Sequence, residues 1–251
     1  MKRLLILLAF LCYSQHTDVY AQQSDSVIVV PVTSLETETL MLVSDDIEYE
    51  AWRLVDLPKR NTTSYEKIEI DGKPAVRGIA SGNSASGIFY KLDVDPVEYP
   101  ILEWQWRIDQ VLSNGDLTKK DGDDYAARIY ITFDYDRRKL SLRDRVKYAA
   151  IRTFTNYEIP LRALNYVWAN KAEQGTIAPN PYTKWVYMVA AESGNTNAKT
   201  WNIGKANILE DYKKAFGDAP PRINGIAIMT DSDNTRETSV GYYGDIILRK
   251  K

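Results

Sequence analysis

The sequence predicts a mainly β protein: an antiparallel β-sandwich of jelly-roll type with two short helical insertions. Three observations carry that expectation. Residues 101–108 alternate strictly, with Leu102, Trp104, Trp106 and Ile108 on one face and Glu103, Gln105 and Arg107 on the other. Residues 125–135 do the same, setting Ala127, Ile129, Ile131 and Phe133 against Arg128, Tyr130, Thr132 and Asp134. Turn signals recur between such short runs, which is the pattern of antiparallel sheets with one wet face.

Taken in order, the chain opens with Lys2 and Arg3 ahead of an unbroken apolar run at residues 4–11, and Val19-Tyr20-Ala21 offers a cleavage site. The run is far shorter than the ~20 residues a membrane span needs. Residues 1–21 therefore read as a signal peptide, and the protein as one secreted across the inner membrane, to the periplasm in a Gram-negative source. Residues 22–45 form an N-terminal extension that leads into a first strand near Ile47, and residues 46–251 form one sandwich domain. Residues 67–70 and 73–79 flank Asp71-Gly72, a hairpin signal. Further strands are expected at 87–92, 164–169, 184–190, 223–230 and 240–248. The first helix spans about 142–154, with Ser141 as cap and Asp144 three residues on. The second spans about 209–216 and ends at Gly217 before Pro220-Pro221.

Loss of the leader removes Cys12 and His16, the chain's one cysteine and one histidine. That excludes Ser-His-Asp and Cys-His sites, disulfides and zinc held by Cys or His. The remaining 230 residues hold 30 basic and 33 acidic side chains, a net charge of −3. This balance argues against nucleic acid as a partner, since phosphate binding needs a basic excess.

Chemistry then rests on carboxylates, guanidinium groups, amides and aromatic rings. Asp121, Asp123 and Asp124 crowd one loop, and Asp231 and Asp233 another. Crowded carboxylates repel unless a cation or arginine neutralises them, and Ca²⁺ accepts such oxygen donors. The second loop departs from the EF-hand pattern, having Arg236 at the glycine position and Tyr242 at the terminal glutamate position. The same two loops also read as ordinary solvated turns. On the strands, Glu103 and Arg107 would share a ligand-binding face with Arg128, Tyr130 and Asp134 if both strands lie in one sheet. Such a face suits sugar hydroxyls. Residues 137–152 carry seven basic side chains and one acid, a net +6. That segment offers peripheral contact with an anionic membrane or polymer, or else packs its modest apolar stripe, Leu142, Val146, Ala149 and Ala150, on the sandwich.

Several segments together resemble one family: Leu102-Glu103-Trp104-Gln105-Trp106-Arg107, residues 122–130, Asn165-Tyr166-Val167-Trp168-Ala169, Glu210-Asp211-Tyr212 with Phe216-Gly217, and residues 229–235 ahead of residues 242–246. Over about residues 50–248 the chain is similar to a bacterial family of domains of unknown function, number 3047. The family brings no activity with it. Its strand order and closing segment look like the galactose-binding-type jelly rolls of carbohydrate-binding modules, an analogy of fold. The reading is an exported, non-catalytic binder of carbohydrate or cell-envelope glycan. The alternatives are a glycan-active hydrolase or lyase working through carboxylates, Tyr and Arg, and an envelope scaffold protein.

Overall fold

The computed structural model describes residues 23–24, 26–35, 52–155 and 160–251. The expected signal peptide, Cys12, His16 and the strand near Ile47 lie outside the described residues. In chain order the strands are β1 (Gln23–Ser24), β2 (Val27–Val30), β3 (Trp52–Asp56), β4 (Ser64–Ile70), β5 (Lys73–Ser81), β6 (Ala85–Val94), β7 (Ile101–Ile108) and β8 (Arg128–Phe133). Helix α1 (Leu142–Thr155) follows, then β9 (Ala163–Ala169), β10 (Ile177–Asn180), β11 (Thr183–Ser193), β12 (Asn202–Asn207), α2 (Ile208–Phe216), β13 (Ile223–Asp231) and β14 (Thr238–Arg249).

These strands form two seven-stranded sheets that make a jelly-roll-type sandwich. In the first, β14 is central. One of its edges pairs with β5 and then β2, and the other pairs with β7, which in turn holds β12. The second runs β10-β11-β9-β8-β13-β6-β3. Among the named strands, pairing is antiparallel except for β11 on β9, which is parallel.

The alternating segments behave as their pattern dictates. Trp104 and Trp106 point between the sheets and are 1% exposed. Their rings meet each other edge to face at 5.2 Å, and reach Tyr166 (5.3 Å) and Trp168 (5.6 Å) of the second sheet. Ile129, Ile131 and Phe133 join this core. The β4–β5 turn places Asp71 and Gly72 at φ 54° and 70°, the paired positive values of a type I′ turn. Ser141 caps α1, accepting from the Asp144 backbone N–H (3.1 Å) while its hydroxyl donates to Asp144 Oδ2 (2.7 Å). Asn207 caps α2 by accepting from Leu209 and Glu210.

Two expectations change. The extension read at residues 22–45 belongs to the sandwich over residues 26–35. There β2 lies against β14, and Val30, Val32 and Leu35 are fully buried. Apolar side chains of that kind gain by entering the core rather than trailing in water. Glu103 and Arg107 also do not share a sheet with Arg128 and Tyr130. β7 belongs to the first sheet and β8 to the second, so their polar faces point away from each other on opposite sides of the sandwich.

Candidate functional site

β13 lies beside β8, which aligns Met229 with Arg128 and brings Asp231, at the end of β13, over the start of β8. The loop before β8 folds back over this point, so Asp123 and Asp124 meet Asp231 and Asp233 beside two guanidinium groups, those of Arg128 and Arg60. Arg128 is 3% exposed. It forms a close ion pair with Asp231, lies 3.7 Å from Asp123, and sits against the rings of Tyr125 (5.1 Å) and Tyr130 (5.8 Å). The remaining oxygens are also engaged. Asp124 accepts from the backbone N–H groups of Asn234 (3.0 Å) and Thr235 (2.5 Å) and from Asn234 Nδ2 (2.9 Å). Asp231 Oδ1 accepts from the Tyr125 backbone (2.9 Å), and Asp233 pairs with Arg60. Asp123 accepts from Asn180 Nδ2 at 2.7 Å. Burial pushes the Asp123 carboxyl up to about 6, against the pull of Arg128.

Carboxylate oxygens of Asp124, Asp231 and Asp233 converge within 4.8 Å. Asp121 is exposed and stands outside this cluster. Asp134 is exposed beyond the end of β8, its N–H bound to the Arg222 carbonyl at 2.9 Å. Arg128 and Tyr130 lie on the outer face of the second sheet. That face is covered locally by Leu117 and Tyr125, which pack with Val167 and Met188. On the first sheet's outer face, Glu103 pairs with Arg249 (2.5 Å) and Lys205 (3.0 Å), which hold its carboxyl below the usual range. Arg107 pairs there with Asp71 at 2.5 Å and lies 5.5 Å from the Tyr242 ring centroid. The five expected ligand residues therefore divide between two faces and a buried centre.

An open concavity lies elsewhere. Between α1 and the β10–β11 hairpin runs a groove made of two adjoining cavities of about 670 Å³ and 220 Å³, which share Ser141, Asp144, Lys184 and Trp185. α1 is seated by Tyr148, whose ring meets Trp185 edge to face at 6.0 Å. Lys147 Nζ stands 5.3 Å from the Trp185 centroid, and Arg162 lies between Tyr135 (4.7 Å) and Phe216 (4.3 Å). Tyr182, half exposed, donates to Asn234 Oδ1 (2.6 Å), which joins the groove wall to the buried centre. The groove is lined by five cations, Lys139, Arg143, Lys147, Arg162 and Lys184. Among the described residues lining it, Asp144 is the sole carboxylate, and Lys184 stands 3.6 Å from it. Sequence reading found the basic segment but missed Tyr182, Trp185 and Arg162. Arg162 and the neighbouring pair Tyr182 and Trp185 lie outside that segment and share no spacing with it; only the tertiary fold assembles them.

Solved structures with a similar fold include three that span most of this chain. The glycoside hydrolase domain of Endo-D from Streptococcus pneumoniae R6 is 7% identical with a TM-score of 0.36, over 80% of this chain and 22% of that one, so the chain spans about a fifth of that protein. The family 11 carbohydrate-binding module of a cellulosomal cellulase from Clostridium thermocellum is 8% identical, with a TM-score of 0.40 over 84% and 94% of the two chains. The Clostridium thermocellum module in complex with a β-1,3-1,4-mixed-linked tetrasaccharide is 7% identical, with a TM-score of 0.38 over 91% and 98%. No curated protein matches the sequence. One family profile does match, over residues 50–247, and on that span the chain belongs to the family described as proteins of unknown function, DUF3047.

Proposed function

We propose that this protein is an exported, non-catalytic binder of an acidic cell-envelope glycan, held in the groove between α1 and the β10–β11 hairpin. The observation that supports this reading is the groove's lining among the described residues: five cations and one carboxylate beside Tyr182, Tyr187 and Phe216. Guanidinium and ammonium groups bind carboxylated sugars by charge-assisted hydrogen bonds, and rings receive the apolar faces of pyranoses. Binding fits better than cleavage. Glycoside hydrolysis uses two carboxylates, about 5–9.5 Å apart, flanking the bond. Among the described residues Asp144 is the one carboxylate lining the groove, while Asp123, Asp124, Asp231 and Asp233 are all less than 9% exposed and already partnered.

The test is a glycan array followed by titration calorimetry against a uronic acid oligosaccharide and a neutral β-glucan. The acidic ligand binds, and Tyr182→Ala or Lys184→Ala weakens it about tenfold, the loss of one stacking or charge-assisted contact. No binding to any arrayed glycan, or affinity indifferent to both substitutions, overturns the reading.

In the same reading the two acidic loops are neutralised by Arg128 and Arg60 rather than by Ca²⁺. The donor set supports this: the oxygens that would hold a cation are already ion-paired with guanidinium groups or accept from amide N–H groups. The thermal unfolding midpoint stays the same in excess chelator and in millimolar CaCl₂. A rise of several degrees with CaCl₂, abolished in Asp124→Asn, would reinstate the metal.

A further inference from the structure

Helix α1 is amphipathic in an unusual sense, because its apolar stripe faces outward. Asp144 and Tyr148, four residues apart, form the seated side against Lys184 and Trp185. Leu142 and Val146, also four apart, lie on the opposite side and are 78% and 64% exposed. Basic side chains border this stripe: Arg143 and Lys147 on one flank and Arg145 on the other, with Arg137 in the turn just before the helix, where Arg138 is paired with Asp136. Asp144 is turned away from it, bound to Ser141 and Lys184.

We infer that this face docks on an anionic lipid bilayer, with Leu142 and Val146 entering the boundary between headgroups and acyl chains. Two features select that occupant. A glycan gives exposed aliphatic side chains no apolar phase to enter, whereas a bilayer does. A second copy of the chain would bring two clusters of like charge together, which opposes pairing. Basic residues beside an anionic surface each strengthen attachment by about fivefold at low salt, and the effect fades within a Debye length. The contact is peripheral: among the described residues, no helix is long and apolar enough to cross a membrane.

Docking is separable from glycan binding, because neither Leu142 nor Val146 lines the groove. The experiment places a reporter on the helix itself, in the full chain. Val146→Trp puts an indole at an exposed position, and its emission is followed on adding vesicles of phosphatidylglycerol mixed with phosphatidylcholine, or of phosphatidylcholine alone. The expected result is a blue shift with the anionic vesicles, reversed by high salt, and none with the neutral ones. Leu142→Ser with Val146→Ser, both at exposed sites, lowers vesicle affinity on the order of tenfold and leaves glycan titration unchanged. An emission spectrum unmoved by anionic vesicles overturns the inference, even if the protein sediments with them. Equal affinity of the double variant and the parent overturns it too.

Discussion

Asp123 is the residue whose surroundings most oppose its charge. It is about 6% exposed and its carboxyl titrates near 6 because burial disfavours the ionised form. In the unfolded chain it titrates near its ordinary 3.8. Since the folded value is the higher, the folded state holds the proton more tightly, and ionisation between pH 4 and 6 weakens folding. Its cost is absent below about pH 4 and fully present above about pH 6, at up to about 3 kcal/mol. Asp123→Asn keeps an oxygen for Asn180 and removes the charge. It therefore raises the unfolding midpoint by several degrees at pH 7 and leaves it nearly unchanged at pH 4, which melts at the two values check. Arg128, with Arg60 on Asp233, explains why four acids persist together at this site. Removing a buried partner of this kind strands charges at a cost of about 3–5 kcal/mol. The sequence put Arg128 on the polar side of its strand correctly. It could not say that a loop some five residues upstream folds over that side and seals it.

At the scale of elements, strong two-residue alternation was legible and weak alternation was not. β7, β9, β11, β13 and β14 lie within a few residues of their expected places, as do both helices. β12 was missed because Asn202–Asn207 holds few apolar side chains: it is an edge strand, held chiefly by its ladder with β7. Its seat depends on Gly204, opposite Trp104. A Cβ there would stand 2.0 Å from the Trp104 ring, so the indole lies where a side chain would go. Gly204→Ala must displace either a core tryptophan or the strand. It lowers stability by about 3 kcal/mol in denaturant titration, the upper range for overpacking a core. β2 escaped notice for a different reason: Val27–Val30 sits inside an otherwise polar stretch, and four residues are too few to show a period. α1 was placed correctly along the chain but not in orientation. Its stripe was expected either to pack or to face a membrane, and the edge-to-face seat of Tyr148 on Trp185 turns Leu142 and Val146 outward.

For the molecule as a whole, the sequence by itself determined the β class, the two helices, the family and which face of each alternating strand is apolar. Those properties follow from local periodicity, capping and burial, which neighbouring residues specify. Only the tertiary structure decided which sheet each strand enters. That choice separated Glu103 and Arg107 from Arg128 and Tyr130, gathered four aspartates beside Arg128 and Arg60, and built a cationic groove from residues scattered between 118 and 216. Strand pairing joins segments distant in the chain, and its energy comes from side-chain fit across sheets rather than from any preference a single segment carries. The candidate groove depends on those long-range pairings, and so it became visible only once the sheets were assembled.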